Sequence, residues 1–355
     1  MASTASPELS ARERIVAEDV ASVLAAPLPW RELDGAEVLI TGAGGFLAGY
    51  LVEVLMTMRP LLGFGPKTVA GLVRNPARAH ARFAHYAGRP ELKLFEGDVK
   101  DGVSGLAPQF IVHAASYASP RYYLTDPVGI LEANLAGTAA MLELARETQG
   151  KLLFFSTSEV YGQTDKVPTA EGDYGYLDPT AIRSCYAESK RAAETMCACW
   201  AHQHGVHATI VRPFHTYGPT VALDDGRVFA DFVSDVLAGR DIVMKSEGLA
   251  TRAFCYVADA TAGFFTVLLK GESGQAYNVG NDRAEISIRG LADTLAGLFP
   301  ERGLKVITDP TAKSGAYAAS PVMRNAPDIE RARALGWAPQ TPLEQGFRRM
   351  VLSYL

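Results

Sequence analysis

The run Val38-Leu39-Ile40-Thr41-Gly42-Ala43-Gly44-Gly45-Phe46-Leu47-Ala48 passes from an apolar strand pattern, through glycines, into a helical pattern over Leu51 to Met58. Glycines at 42 and 45 permit a tight turn and a close approach of backbone to a diphosphate, which then rests at the positive end of the helix. Ala48 takes the third small position and still allows close packing of helix on sheet. A glycine string alone says little. Its place between a strand and a helix is what predicts a dinucleotide site, with Gly42, Gly44, Gly45, Phe46 and Leu47 around the diphosphate.

Outward from that run, short apolar segments alternate with helical ones. Val69–Val73, Leu92–Phe95, Phe110–Val112, Leu152–Phe155 and Thr209–Val211 join Val38–Ile40 as buried strands. Such alternation is the pattern of a parallel sheet covered by helices on both faces. The predicted fold is therefore α/β: a Rossmann-type, doubly wound parallel sheet with a smaller, mixed α/β C-terminal substrate lobe. Residues 1–35 read as a helical extension with Ile15, Val16, Val20, Val23 and Leu24 at helical spacing, ended by Pro27, Pro29 and Trp30. Residues 36–212 form the dinucleotide domain, with 253–280 returning to it; 213–252 and 281–355 form the lobe.

Composition narrows the function classes. Of 355 residues, 48% are hydrophobic and 21% charged, ordinary for a folded domain and unlike disordered or fibrous chains. A net charge of −5 argues against a nucleic-acid partner, since phosphate binding needs a basic face. No apolar run is read as approaching the ~18 residues of a membrane helix. Glu8, Arg12, Glu13, Arg14, Glu18 and Asp19 leave no signal-peptide core. The four cysteines make no disulfide framework, so a reducing, cytoplasmic setting is expected.

Two positions bear on the cofactor. The second strand ends Val73-Arg74-Asn75, where an acid would hold a ribose diol and an Arg suits a 2′-phosphate. Arg74 thus points to NADP, or to an Arg stacked on the adenine. Asp98, after the third strand, either accepts from the adenine amino group or caps its loop.

Chemistry is carried by Tyr186-Ala187-Glu188-Ser189-Lys190 on a helical segment, where positions four apart share a face. A nearby ammonium and a nicotinamide cation would both lower a phenol pKa from ~10, making Tyr186 a general base for a sugar hydroxyl. The helix is preceded by a strand ending Ser156-Thr157-Ser158-Glu159-Val160-Tyr161-Gly162. Cys197, Cys199, His202, His204 and His207 look like a metal cluster. Spacings of two on a helix scatter side chains over different faces, so no metal site is expected.

With these motifs the chain resembles the extended short-chain dehydrogenase/reductases that modify nucleotide sugars, and is most similar to the UDP-glucuronate decarboxylases. The likeness runs from about Glu37 to the C-terminus. It includes Arg183-Ser184-Cys185 before Tyr186, Lys190 to Cys197 after it, Asp225-Gly226-Arg227-Val228, Thr251-Arg252-Ala253-Phe254, and Pro327-Asp328-Ile329 before Leu335-Gly336-Trp337. The triplet Thr157-Ser158-Glu159 separates it from 4-epimerases, which lack the Glu, and from dTDP-glucose 4,6-dehydratases, which carry an acid at the place of Ser158.

The resemblance implies catalytic Thr157, Ser158, Glu159, Tyr186 and Lys190. It implies that NAD, tightly bound and recycled, is held by the glycine loop with Arg74, Asp98, Val99, Ala114, Ala115, Tyr186, Lys190 and Pro213. Ser116, Tyr123, Arg183, His215, Arg227, Arg252 and Arg324 would bind substrate. Arg252 is the first candidate for a diphosphate or carboxylate, because its planar fork suits either; His215, Arg227 and Arg324 are further phosphate candidates. His113 reads as a neighbour of the cofactor loop rather than a base. The sequence departs from the family at Arg74, where an Asp is usual, at His215, which replaces an Asn, and at Arg121 and Tyr122 in Ser119-Pro120-Arg121-Tyr122-Tyr123. Relatives dimerise through the helix bearing the Tyr–Lys pair and the one before it, so a homodimer is expected. The expected activity is C4 oxidation of a UDP-glucuronate-like sugar, decarboxylation and re-reduction. The alternatives are a 4,6-dehydratase or 4-epimerase and, in another class, a non-catalytic NAD(P) sensor.

Overall fold

All six expected strands lie in one sheet. They are β1 (Glu37–Thr41), β2 (Thr68–Val73), β3 (Leu92–Glu96), β4 (Phe110–His113), β5 (Lys151–Phe155) and β6 (Ala208–Pro213). Four short strands follow: β7 (Thr216–Tyr217), β8 (Ile242–Met244), β9 (Thr251–Ala253) and β10 (Cys255–Tyr256). Then β11 (Ala276–Val279) returns beside β6, completing a seven-stranded parallel sheet in the order β11-β6-β5-β4-β1-β2-β3. The computed structural model describes residues 9–117, 122–309 and 322–355. Ser119, Pro120 and Arg121 of the expected substrate loop, and the first eight residues of the extension, lie outside the described residues.

Helices cover both faces because adjacent strand residues point oppositely. Val38 and Ile40 pack with α2 (Phe46–Leu62) on one face, while Leu39 faces the other with Met141 and Cys197. Between them in the chain lies the short α3 (Pro76–Arg82), capped by Asn75. The second face is covered by α4 (Pro127–Thr148) and α5 (Cys185–His204), which run side by side. α4 corrects one expectation: in length and apolarity it does reach those of a membrane span. Half of that stretch is buried inside the fold, as in the core helix of a globular domain.

After β6 comes α6 (Val228–Leu237), followed by α7 (Val257–Lys270), which returns to cover the first face of the sheet. The lobe beyond contains β12 (Glu285–Ser287), α8 (Ile288–Leu298), β13 (Val306–Thr308), β14 (Arg324–Asn325), α9 (Glu330–Ala334) and α10 (Leu343–Leu352). Small sheets hold it together, with β9 between β12 and β14.

The N-terminal extension is part of this framework. Its helix α1 (Ala11–Leu24) begins with a capping box, Ser10 and Glu13 satisfying each other's backbone amides. The apolar stripe Val20, Val23 and Leu24 enters the main core. Beside it Asp19, 2% exposed, accepts from the Tyr50 hydroxyl of α2 (3.1 Å) and from Tyr256 at the start of α7 (2.8 Å). Arg349 of α10 completes the cluster at 2.7 Å. One carboxylate therefore ties the helix behind the glycine loop to the C-terminal helix. Asp19→Ala removes the acceptor of two buried hydroxyls, while Arg349 keeps Glu18 and the Ile15 carbonyl, and is expected to lower unfolding free energy by about 1–3 kcal/mol. Chemical denaturation checks this; an unchanged midpoint would show that the carboxylate does not tie these helices together.

Candidate functional site

The glycine loop is shaped by its neighbours. Gly42 has φ +69°, and a Cβ there would lie 2.9 Å from the Ala115 backbone. Gly42 and Ala43 donate to the Leu72 carbonyl, and Gly45 to that of Gly42, which folds the loop over the ends of β1 and β2. Gly45 caps α2 without a side chain, so the first-turn amides of Phe46 and Leu47 face outward toward any anion. Ala114 and Ala115 leave β4 beside this turn, with the Ala115 amide on Thr41 Oγ1 at 3.1 Å. Loop and helix end together form a cradle that side chains would fill, which fits a dinucleotide diphosphate.

Arg74 is exposed at the end of β2, its guanidinium 3.8 Å from the ring centre of Tyr117. Among the described residues its stacking partner is thus this chain's own tyrosine. Asp98 accepts from the Lys100 amide (3.1 Å) and caps the turn that follows, the second of its two expected roles. Val99 is buried and packs against Gly137 of α4.

At the other end of the cleft, α5 brings Tyr186 and Lys190 against the end of β5. Lys190 is buried and donates to the Phe155 carbonyl at 2.7 Å. Tyr186 is 5% exposed and stacks on Tyr123, with ring centres 5.0 Å apart and planes 16° apart. Thr157 stands near enough to the Tyr186 phenol to favour its charged form, and accepts from the Glu159 amide. Glu159 meets Arg183 at 2.8 Å, and Arg183 lies over the ring of Tyr123. Ser158 is buried behind.

In the chain by itself, burial pushes the Tyr186 phenol well above its usual range and Glu159 adds to that; Thr157, Arg227 and Arg183 pull the other way. Burial lowers Lys190 itself to about 7, because Phe155 offers a carbonyl and not a charge. His113 is neutral, pushed down to about 3 by burial. It bridges Thr41 (2.9 Å) and Thr138 (3.1 Å), holding β1, β4 and α4 in register.

The substrate candidates divide. Tyr123, Arg183, His215 and Arg227 come together around Tyr186: Arg227 acts on Tyr186 and on His215, as does Arg252 on His215. His215 is lowered to about 3 by burial, then by those two arginines, so it offers a neutral hydrogen bond and not the positive charge expected of a phosphate ligand. Arg252 donates to the carbonyls of Thr251 and Val322, spending part of its fork on the β9–β14 edge. Arg324 makes a two-pronged pair with Glu285 (2.7 and 2.9 Å) on a half-exposed surface. Pro213 ends β6 beside Val279.

Three buried polar atoms at this cleft have no partner among the described residues: Ser116 Oγ, Arg183 Nε and His215 Nε2. Buried polar groups are nearly always satisfied, so these three, all on residues expected to bind substrate, are candidates for ligand contact; five more such atoms stand on Arg82, Asn134, Trp200, Asp282 and Asn325. Beneath the cleft, Arg212 pairs with Glu194 at 2.6 Å and reaches the hydroxyls of Tyr161 and Tyr174. Sequence reasoning missed this buried support, although Glu194 lay in the stretch Lys190 to Cys197. No cluster of three metal-ligating side chains occurs among the described residues.

Comparison with known proteins places this geometry. The NAD dependent epimerase/dehydratase family matches residues 38–280. UDP-glucuronic acid decarboxylase 6 of Arabidopsis thaliana is 34% identical over 315 residues, 88% of this chain and 87% of its own length. UDP-glucuronic acid decarboxylase 1 of Xenopus tropicalis is 34% identical over 322 residues, 90% of this chain and 72% of its own. Among solved structures, UDP-glucose 4-epimerase of Thermotoga maritima superposes with a TM-score of 0.77 at 22% identity, over 90% of this chain and 98% of its own. The NAD complex of dTDP-glucose 4,6-dehydratase from Bacillus anthracis gives 0.73 at 20% identity, over 90% and 96%. These structures share the fold, and the sequence match settles the kinship: this chain belongs to the NAD dependent epimerase/dehydratase family.

Proposed function

We propose that this protein is a UDP-glucuronate decarboxylase that passes through a 4-keto sugar. The observation that carries the reading is the buried Tyr186 with Thr157 beside it at the end of β5, Lys190 one turn on and the Glu159–Arg183 pair at its edge. The 34% identity to UDP-glucuronic acid decarboxylases supports the choice of substrate. The glycine loop, Arg74, Ala114, Ala115, Lys190 and Pro213 would hold the dinucleotide. When bound, NAD supplies a two-electron acceptor and donor and a positive charge beside the phenol.

The chain's own groups do the rest. Thr157 and Tyr186 hold the sugar 4-hydroxyl, and Tyr186 takes its proton. A carbonyl at C4 stands β to the C6 carboxylate, so the C5–C6 bond breaks with its electron pair passing to the carbonyl oxygen as an enolate. Carbon dioxide departs. The protonated Tyr186 and the Thr157 hydroxyl stabilise that oxygen as donors. C5 then gains a proton and C4 is reduced again, so no net oxidation remains. Dehydration would need an acid for the leaving hydroxide. Ser158 is no acid, and Glu159 is engaged by Arg183.

The protein is further read as a homodimer. Met141, Leu142 and Leu144 of α4 are consumed by this chain's own core, but Val128 and Leu131 stay exposed along the same helix.

Incubation with UDP-glucuronate, UDP-glucose, dTDP-glucose and GDP-mannose, without added cofactor, tests the reading. Carbon dioxide and a UDP-pentose are expected. A 4-keto-6-deoxy sugar instead would make it a dehydratase, and dinucleotide binding without any turnover a sensor. Tyr186→Phe should retain dinucleotide and lose about 10²–10⁴ in rate. Arg74→Asp should weaken NADP at least about tenfold more than NAD, measured by titration, since an acid repels the 2′-phosphate and suits the diol. Equal changes would remove Arg74 from the ribose end of the site.

A further inference from the structure

We infer that Arg82 is a positioning residue that joins the dinucleotide loop to the loop carrying Arg227. Nothing in its sequence setting suggests this: Arg82 ends the short α3, among residues that look like a solvated basic face. In the fold its guanidinium turns inward. Nη1 donates to the carbonyls of Gly44 (3.2 Å) and Gly45 (2.8 Å), and Nη2 to Phe46 (3.3 Å). The same Nη2 reaches Thr220 Oγ1 at 3.0 Å, 138 residues away. α2 makes room for it at Gly49, where a Cβ would lie 2.2 Å from the guanidinium carbon.

Two further observations say that this contact holds something under tension. Thr220 has φ +70°, a left-handed conformation that costs a β-branched residue about 1–3 kcal/mol and persists only where the surroundings enforce it. The Arg82 hydrogen bond is the enforcement visible at that side chain. The next residue is pinned as well, since Tyr354 donates to the Val221 carbonyl. From there the chain runs through a turn in which Asp225 accepts from the Arg227 amide (3.0 Å) and delivers Arg227 toward Tyr186 and His215.

The second observation concerns charge. Arg82 has no carboxylate within ion-pair distance among the described residues. Glu53, on the facing helix, is occupied by His85 (2.9 Å) and Tyr86 (2.7 Å). The Nε atom is buried without a partner. A half-buried cation held by loop carbonyls and one hydroxyl, with the Glu53 carboxylate acting on it from the facing helix, is only partly balanced, and an anion on the opposite side of that loop adds to the balance. Across their trans peptide planes the amides of Phe46 and Leu47 point away from the Gly45 and Phe46 carbonyls that Arg82 holds. Diphosphate binding and the placement of the Thr220–Arg227 loop therefore act on one guanidinium, and occupation of the cofactor loop stiffens the substrate loop.

Hydrogen exchange of the full-length protein, with and without saturating NAD, tests this. In the unaltered protein NAD should slow exchange about tenfold or more both at 42–49 and at 219–227. Thr220→Val, which removes the hydroxyl, should keep the protection at 42–49 and lose that at 219–227. Thr220→Ser should restore it; should the valine variant not fold, Thr220→Ala replaces it. Protection of 219–227 that survives loss of the hydroxyl would overturn the inference, as would its absence from the unaltered protein. No nucleotide sugar enters the measurement. A protein that couples the loops but decarboxylates nothing would sink the proposed reaction and leave this inference standing.

Discussion

Lys190 donating to the Phe155 carbonyl is the contact on which the site depends. It buries an ammonium at the end of the central strand and so fixes the rotation of α5 against the sheet. Tyr186, one turn earlier, is thereby set beside Thr157 and against the ring of Tyr123. The same burial makes both groups unusual: the ammonium loses its proton more readily, and the phenol holds on to its own. A positive charge entering the cleft would favour the phenolate.

Around that contact the molecule is braced by polar groups buried in pairs. Glu194 and Arg212 support β6 from below, His113 links β1 and β4 to α4, and Asp19 locks the N-terminal helix to α2, α7 and α10. Each is costly unless complete, so each specifies one arrangement of its elements. Among the polar atoms left incomplete are those on Ser116, Arg183 and His215, three residues expected to bind substrate. Incompleteness there is what a substrate with several oxygen atoms would relieve.

Much of this was legible in the sequence, for identifiable reasons. Strand positions follow from apolar runs, the glycine loop from backbone freedom, and the Tyr–Lys pair from helical spacing; all three are local. What was not legible depends on contacts between distant residues. The pairing of Arg324 with Glu285 was hidden because Glu285 is far away in the chain, and only the β9 edge brings them together. Asp98 offered two roles, and a turn two residues long decided for the cap. Arg82 gave no signal, because whether an arginine at the end of a helix faces water or a loop carbonyl is settled by tertiary packing. The burial of Tyr186 and Lys190 was hidden for a related reason: spacing reports that two groups share a face, but not how much water either retains.

Isotope retention in one turnover tests the central claim most directly. UDP-glucuronate deuterated at C4 is supplied without added cofactor, and the products are analysed by mass spectrometry. Release of carbon dioxide with deuterium still on C4 of the pentose is the predicted result. Carbon dioxide released with the label lost to solvent, or label kept in unchanged substrate while the dinucleotide is bound, would contradict the account.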